Sequence, residues 1–195
     1  GGEDDLPKYR FSRHKPEKID GIEWRLVSDI RREIGDDVYD KKIRRFFTLI
    51  VDNPSIHYHD INVAWNKFMQ LFIVFGGIVE YKEVWRDYFR QTLEELYADN
   101  VQYLELRSVF PELYDLDGNK SGPMDVGQIY AEVLKDFKST HSDFVGCRIL
   151  YAPLRGINDE TFNTYLPIMQ KLRRNFPDLI TGFDLVGQED KGREI

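Results

Sequence analysis

Three apolar runs, at 101–107, 145–152 and 180–186, alternate with long amphipathic stretches, and this alternation limits the fold more than any other feature of the chain. Runs of that length, rich in Val, Ile, Leu, Tyr and Phe, read as strands. Strands that are nearly all apolar and separated by helices pair in parallel, through right-handed crossovers. The pattern alone fits either an open doubly wound sheet or part of a (β/α)8 barrel. No glycine-rich phosphate loop follows any of the three runs, which weighs against a dinucleotide-binding sheet.

The last run carries the most specific information. In Leu179-Ile180-Thr181-Gly182-Phe183-Asp184-Leu185-Val186-Gly187, period two puts Ile180, Gly182, Asp184 and Val186 on one face and Phe183 and Leu185 on the other. A carboxylate on an otherwise apolar strand is costly when dry and unpaired, so Asp184 needs a partner or a polar cavity. On the first strand Glu105 and Arg107 share a face opposite Leu104 and Leu106, and are expected to form an ion pair there.

Helical spacing organises the rest. Leu26, Val27, Ile30 and Ile34 recur at three and four, and Gly35 ends that run. Ile43, Phe46, Phe47 and Ile50 suggest a second helix, stopped by Asp52-Asn53-Pro54. A strongly apolar helix is expected over about 63–79, and a longer one with Tyr81, Val84, Trp85, Tyr88, Phe89, Leu93 and Leu96 on its stripe. Asp125-x-x-Gln128 reads as a capping box opening a helix with Ile129, Tyr130, Val133, Leu134 and Phe137 inward. Another starts near Asn158 and buries Phe162, Tyr165, Leu166, Met169 and Leu172, with Pro167 expected to kink or restart it. Residues 1 to about 21 read as an extended or loose arm.

Composition closes several function classes. A net charge of −7 leaves no basic face for a nucleic-acid backbone. No run of about 18 apolar residues is evident, so no membrane span is expected. Cys147 is the single cysteine, which excludes an internal disulfide and a thiolate-rich metal site, and its strand position makes it a core residue. Asn119-Lys120-Ser121 is an N-glycosylation sequon in a turn-rich loop; Asn53-Pro54-Ser55 is void because of its proline. The opening Gly-Gly-Glu-Asp-Asp is no signal peptide and reads as an internal start.

Three separated stretches carry a family resemblance in order. Gly182-Phe183-Asp184-Leu185-Val186-Gly187-Gln188-Glu189-Asp190 closely resembles strand four of the adenosine deaminases, in the form found in the adenosine deaminase-related growth factors, the secreted branch. Val101–Arg107 resembles strand two, and Trp65-Asn66-Lys67-Phe68 with Phe72 resembles the substrate-side helix before it. The likeness runs from about Trp24 to the end, and the chain is identified as an internal fragment.

The resemblance implies an α/β fold: a partial (β/α)8 TIM barrel of the metal-dependent hydrolase type, with strands two to four visible and helices before them. Residues 61–195 would be the partial barrel. Residues 1–60 would be an arm plus helices from the end of the family's inserted receptor-binding region. The implied activity is zinc-dependent conversion of adenosine to inosine and ammonia, in an extracellular protein with a growth-factor-like role, a cell-surface receptor and a homodimeric parent. Trp65, Lys67, Phe68 and Phe72 would form the wall over the nucleoside, and Gly187 would lie against the base. Read without the resemblance, that aromatic stripe is simply core.

The Zn2+ ligands and the catalytic Glu of the family are not in this chain, so no catalytic and no metal residue is assigned and the chain alone is expected to be inactive. His57-Tyr58-His59 imitates the family's His-x-His but lies downstream of its place, in a polar loop, and is read as surface histidines. Leu154 stands where some members place a substrate-contacting histidine. The alternative is a non-catalytic growth-factor or receptor-binding protein that keeps the scaffold.

Overall fold

The computed structural model describes residues 6–18, 23–155 and 158–191; the opening Gly-Gly-Glu-Asp-Asp and Ile22 lie outside them. The chain divides into two compact units. One runs through Tyr81 and takes in Asp115–Gly118; the other comprises Lys82–Tyr114 and the residues from Asn119 on.

The second unit is the α/β part. Strands β1 (Tyr103–Ser108), β4 (Gly146–Tyr151) and β5 (Ile180–Phe183) form one parallel sheet in the order β1-β4-β5. A two-stranded antiparallel hairpin, β2 (Leu113–Tyr114) and β3 (Lys120–Ser121), lies between the first two in sequence. Helices α5 (Lys82–Ala98), α6 (Pro123–Thr140) and α7 (Asp159–Asn175) supply the cover. Phe89 and Leu93 of α5, Ile129, Val133 and Phe137 of α6, and Tyr165, Met169 and Leu172 of α7 join Cys147, Ile149, Tyr151 and Ile180 in one core, with Leu104 and Leu106 against it. Glu105 and Arg107 point the other way and are exposed, as strand alternation requires. The parallel order of the three strands agrees with the sequence reading; closure into a barrel is not part of what these three strands display.

Local chemistry sets the helix ends, and departs from expectation in places. Helix α6 begins two residues early: Gly122 is its N-cap, and Asp125, at the third position, accepts from the Gly122 N–H at 3.1 Å rather than serving as the cap. Asn158 does cap α7, its side chain accepting from Thr161 N–H at 2.9 Å. Pro167 does not restart α7, which runs unbroken to Asn175. Pro167 is exposed, so the Asn163 carbonyl it leaves without a helical donor belongs to the solvent side. In this unit two residues placed on apolar stripes, Tyr88 and Leu166, are exposed instead.

In the first unit, α1 (Val27–Ile34) and α2 (Asp36–Arg44) meet at Gly35, whose φ of +89° makes the corner that a glycine tolerates best. Arg31 ties it, with Nε 2.9 Å from Asp36 and Nη1 2.6 Å from Asp40. The second expected helix is displaced: it starts at Asp36 and stops at Arg44, leaving Phe46, Phe47 and Ile50 beyond its end. Its acidic first turn and basic last turn match the helix dipole, and that signal outweighed the apolar spacing. A single helical turn, α3 (Pro54–His57), replaces the loop expected around His57.

Helix α4 (Ile61–Val79) is capped by Asp60, whose carboxylate accepts from Asn62 N–H at 2.8 Å. Contrary to the expectation of no such run, α4 is long and apolar enough to cross a membrane by length and composition. Its polar residues Asn62, Asn66, Lys67 and Gln70 gather in the first half, leaving 71–79 without a charge. Core helices of soluble proteins meet the same criterion. Over the described residues 6–18 the arm has no helix or strand but is not loose. Tyr9 bonds to Tyr39 and packs its ring 5.8 Å from Phe47, Phe11 lies 5.1 Å from Tyr81, and Arg13 donates its N–H to Leu116 O at 3.0 Å. At Gly77 the backbone of Tyr9 comes so close to α4 that a Cβ there would overlap the Tyr9 carbonyl oxygen.

Candidate functional site

Parallel α/β sheets expose their loop-borne chemistry at the carboxyl ends of the strands. In the second unit those ends are Arg107 and Ser108 closing β1, Tyr151 at the end of β4 with the residues through Arg155 that follow it, and Asp184 to Gly187 after β5. Pairing continues past the named strands: Asp184 N–H donates to Tyr151 O at 3.0 Å, Val186 N–H to Pro153 O at 3.0 Å and Arg155 N–H to Val186 O at 2.9 Å. Gly187 therefore follows directly where this ladder ends.

Asp184 finds its partner across the sheet, and it is not on the neighbouring strand. Arg107 Nε donates to Asp184 Oδ2 at 2.6 Å, and Leu185 N–H donates to Oδ1 at 2.8 Å. Arg107 is thus paired with Asp184 and not, as expected, with Glu105. The guanidinium holds the Asp184 carboxyl below the usual carboxylate range, chiefly through that hydrogen bond, and Arg155 adds to the effect by charge. A depressed carboxyl contributes stability that is present above its unfolded value, about pH 4, and lost as pH falls through the folded value. With side chains 62% and 39% exposed, the pair is screened by solvent and its contribution is small. The stability gap between the parent and Asp184→Asn, followed by denaturant melts from pH 7 down to pH 2, should close below about pH 4. A gap unchanged across that range would refute the pairing.

Gly187 has a φ of +132°, a backbone conformation that disfavours any side chain. A Cβ there would lie 3.3 Å from Arg155 Cγ. Its need for glycine is therefore already met by backbone geometry and by Arg155. Arg155 itself went unassigned in the sequence; its Nε is buried and finds no partner among the described residues. An arginine two residues beyond a strand-ending proline was the one available signal. Leu154 is 41% exposed, and its carbonyl accepts from the Tyr165 hydroxyl at 2.9 Å. Ser108 is buried, its hydroxyl 2.9 Å from that of Tyr130, and burial pushes the Tyr130 hydroxyl up in pKa.

The other expected contacts lie in the first unit, on α4. Trp65, Phe68, Phe72 and Phe75 form a continuous aromatic ladder, with centroids 5.4, 4.9 and 5.2 Å apart in succession. Trp65 and Phe68 are half-buried and Phe72 is 45% exposed. Phe75 and Val79, further along the helix, are also only half-buried; Val74 is the one fully buried α4 residue. Lys67 turns its amino group to the Arg45 carbonyl at 2.9 Å, close to the end of α2, and desolvation lowers its pKa. The structure thus brings Trp65, Lys67, Phe68 and Phe72 together on one helix, while Gly187 belongs to the other unit.

Metal ligands are a separate matter. Among the described residues no three His, Cys, Asp or Glu side chains gather as a metal site. His57 and His59 are both exposed, at the end of α3 and just beyond it. Cys147 is fully buried, and burial pushes its thiol up to about 12, the opposite of what a metal thiolate needs. The described residues do not fit a zinc centre. A shallow concavity bounded by Pro167, Lys171 and Arg174 lies along α7 and is lined by none of the strand-end residues.

No family model matches the sequence. Curated proteins do. The chain is 41% identical over 188 residues to an adenosine deaminase of Lutzomyia longipalpis, which takes in 96% of this chain and 37% of that protein. It is 41% identical over 189 residues to an adenosine deaminase of Aedes albopictus, covering 97% and 35% respectively. To adenosine deaminase 2 of Homo sapiens it is 32% identical over 192 residues, covering 97% and 38%. The chain spans little more than a third of the length of these relatives. Over the stretch they share, the chain is similar to the adenosine deaminases, adenosine deaminase 2 among them, and matches part of their length.

Proposed function

We propose that this chain is the substrate-holding part of a zinc-dependent adenosine deaminase that converts adenosine to inosine and ammonia. The observation that carries this reading is the similarity to proteins named adenosine deaminase over 96% of the chain. The parallel order of β1, β4 and β5 is compatible with strands two to four of a (β/α)8 barrel spanning 61–195, with 1–60 as the arm and the end of a receptor-binding insertion. Because the described residues offer no ligand set, the chain's share of the reaction is to bind and orient: the ladder from Trp65 through Phe68 to Phe72 offers ring faces to a flat purine, with Lys67 at its edge, and Gly187 offers bare backbone. Alone, the chain is inactive. Its kinship with adenosine deaminase 2 supports an extracellular protein with a growth-factor role, and a homodimer is the parent assembly.

A second reading, a receptor-binding protein without catalysis, draws on the exposed Leu26, Val27, Ile34 and Val38 of the first 60 residues. Kinetics separate the two. In the complete protein carrying this sequence, Trp65→Ala should raise KM for adenosine about tenfold, a loss of roughly 1.4 kcal/mol of binding, while stability falls by less than the roughly 3–5 kcal/mol of a fully buried aromatic. Gly187→Ala should lower kcat/KM by more than its strain lowers stability. Unchanged kcat/KM in both folded variants ends the substrate-wall assignment, and absence of deamination in the unmodified complete protein favours the second reading.

A further inference from the structure

We infer that Asn119 is an acceptor for an N-linked oligosaccharide. The triplet Asn119-Lys120-Ser121 stands at the turn of the β2–β3 hairpin, where Tyr114 faces Lys120 and Leu113 faces Ser121. The two strands have opposite environments. Leu113 and Tyr114 are buried and anchor the hairpin; Asn119, just before the returning strand, and Lys120, on it, are exposed. The turn is set by its own chemistry: Asp115 accepts from Asp117 N–H through its side chain at 2.9 Å and from Gly118 N–H through its carbonyl at 3.1 Å. Gly118, with a φ of +85°, delivers the chain directly into Asn119. Lys120 leans toward Glu112, its Nζ 2.6 Å from that carboxylate, and the middle position of the triplet is not a proline.

The second triplet in the chain sharpens the point. Asn53-Pro54-Ser55 is also exposed, but Pro54 fixes the backbone that the transfer reaction must bend. Only the hairpin triplet combines exposure with a permissive middle residue. In the reaction the Asn119 amide nitrogen forms a bond to the anomeric carbon of a polyprenyl-diphosphate oligosaccharide. The sugar–phosphate C–O bond breaks, the amide loses one proton, and the polyprenyl diphosphate leaves. The inference deepens the extracellular reading and rests on it, since the donor and its transferase act on secretory chains.

The test supplies the secretory route, so that a wrong localisation and a wrong site give different results. The 195-residue chain, behind an added leader, is expressed in animal cells beside an independent secreted glycoprotein. Gel mobility is then compared before and after N-glycosidase. The expected result is a single mobility step removed by the enzyme, absent from Asn119→Gln and from Ser121→Ala, with the sugar located on Asn119 by peptide mass. Oligosaccharide transfer acts on the nascent chain, so a variant that fails to fold still reports. An unshifted parent chain beside a shifted control overturns the inference, as does a step that persists in Asn119→Gln. Whether the complete protein reaches the medium behind its own leader tests the extracellular reading by itself.

Discussion

Phe137→Ala should cost the second unit about 3–5 kcal/mol, the range for truncating a fully buried aromatic. Phe137 is 1% exposed on α6, and its ring stands among three others. His141 stacks on it at 4.0 Å, Phe144 meets it edge-on at 5.1 Å and Tyr97 at 5.9 Å, while Tyr97 also reaches His141 at 4.5 Å. Loops and helices of three origins thus converge on one ring: the end of α5, the end of α6 and the turn into β4. An alanine would leave a void that the sheet and α5 cannot both fill. Against a typical stability of about 5–15 kcal/mol, such a loss brings the unit near its melting threshold. Leu166→Ala, at a residue 63% exposed on α7, should stay within about 0.5 kcal/mol. Denaturant midpoints of the two variants make the comparison. A loss below about 1 kcal/mol for Phe137→Ala would show that this cluster is not the centre of the core.

Gly77→Ala should free the arm. A methyl group at this position overlaps the carbonyl oxygen of Tyr9, and backbone cannot swing aside as a side-chain tip can. Alanine is intrinsically better than glycine inside a helix by about 1 kcal/mol, so α4 itself should be stabilised. The cost falls on the arm: the Tyr9–Tyr39 hydrogen bond, the Tyr9–Phe47 and Phe11–Tyr81 ring contacts, and the Arg13–Asp117 pair at 3.0 Å all depend on that close approach. Limited proteolysis should cut within residues 6–18 of the variant many times faster than in the parent. Deleting the arm from both proteins should reverse the sign, leaving Gly77→Ala the more stable of the two. Equal protection of the arm in parent and variant would mean that the arm does not rest on Gly77.

Sequence was a good guide where one physical signal dominated. The three strands came out parallel and within two or three residues of their expected ends, because continuous apolar runs leave a strand few other places to go. Asp184 was recognisable as a residue in need of a partner, yet Arg107 was not recognisable as that partner. The two lie on outer strands with β4 between them, and Arg107 reaches past Leu150 on a face where Gly182 adds no side chain. Register and the bulge beside Leu150 decide this, and neither is written in local periodicity. Around Phe46 two signals disagreed, and the charges of α2 prevailed over apolar spacing that pointed to a longer helix. For the candidate site, Trp65, Phe68 and Phe72 did fall on one face at helical spacing, but spacing could not reveal that Lys67 would be engaged by the Arg45 carbonyl. Gly187 was singled out for closeness to a ligand, whereas its φ gives it a reason to be glycine that needs no ligand at all.

The sheet order β1-β4-β5 leaves the two outer strands each with one flank unpaired among the described residues. Such flanks are templates: their free N–H and C=O groups can recruit a strand from another molecule as readily as from the same one. β5 is only four residues long, and β1 carries Glu105 and Arg107, so both flanks are poorly suited to indefinite growth. The chain's net charge of −7 adds a repulsion between copies that weakens as salt shortens its range. Ionic strength and whatever occupies the strand flanks therefore both bear on how copies of this polypeptide meet.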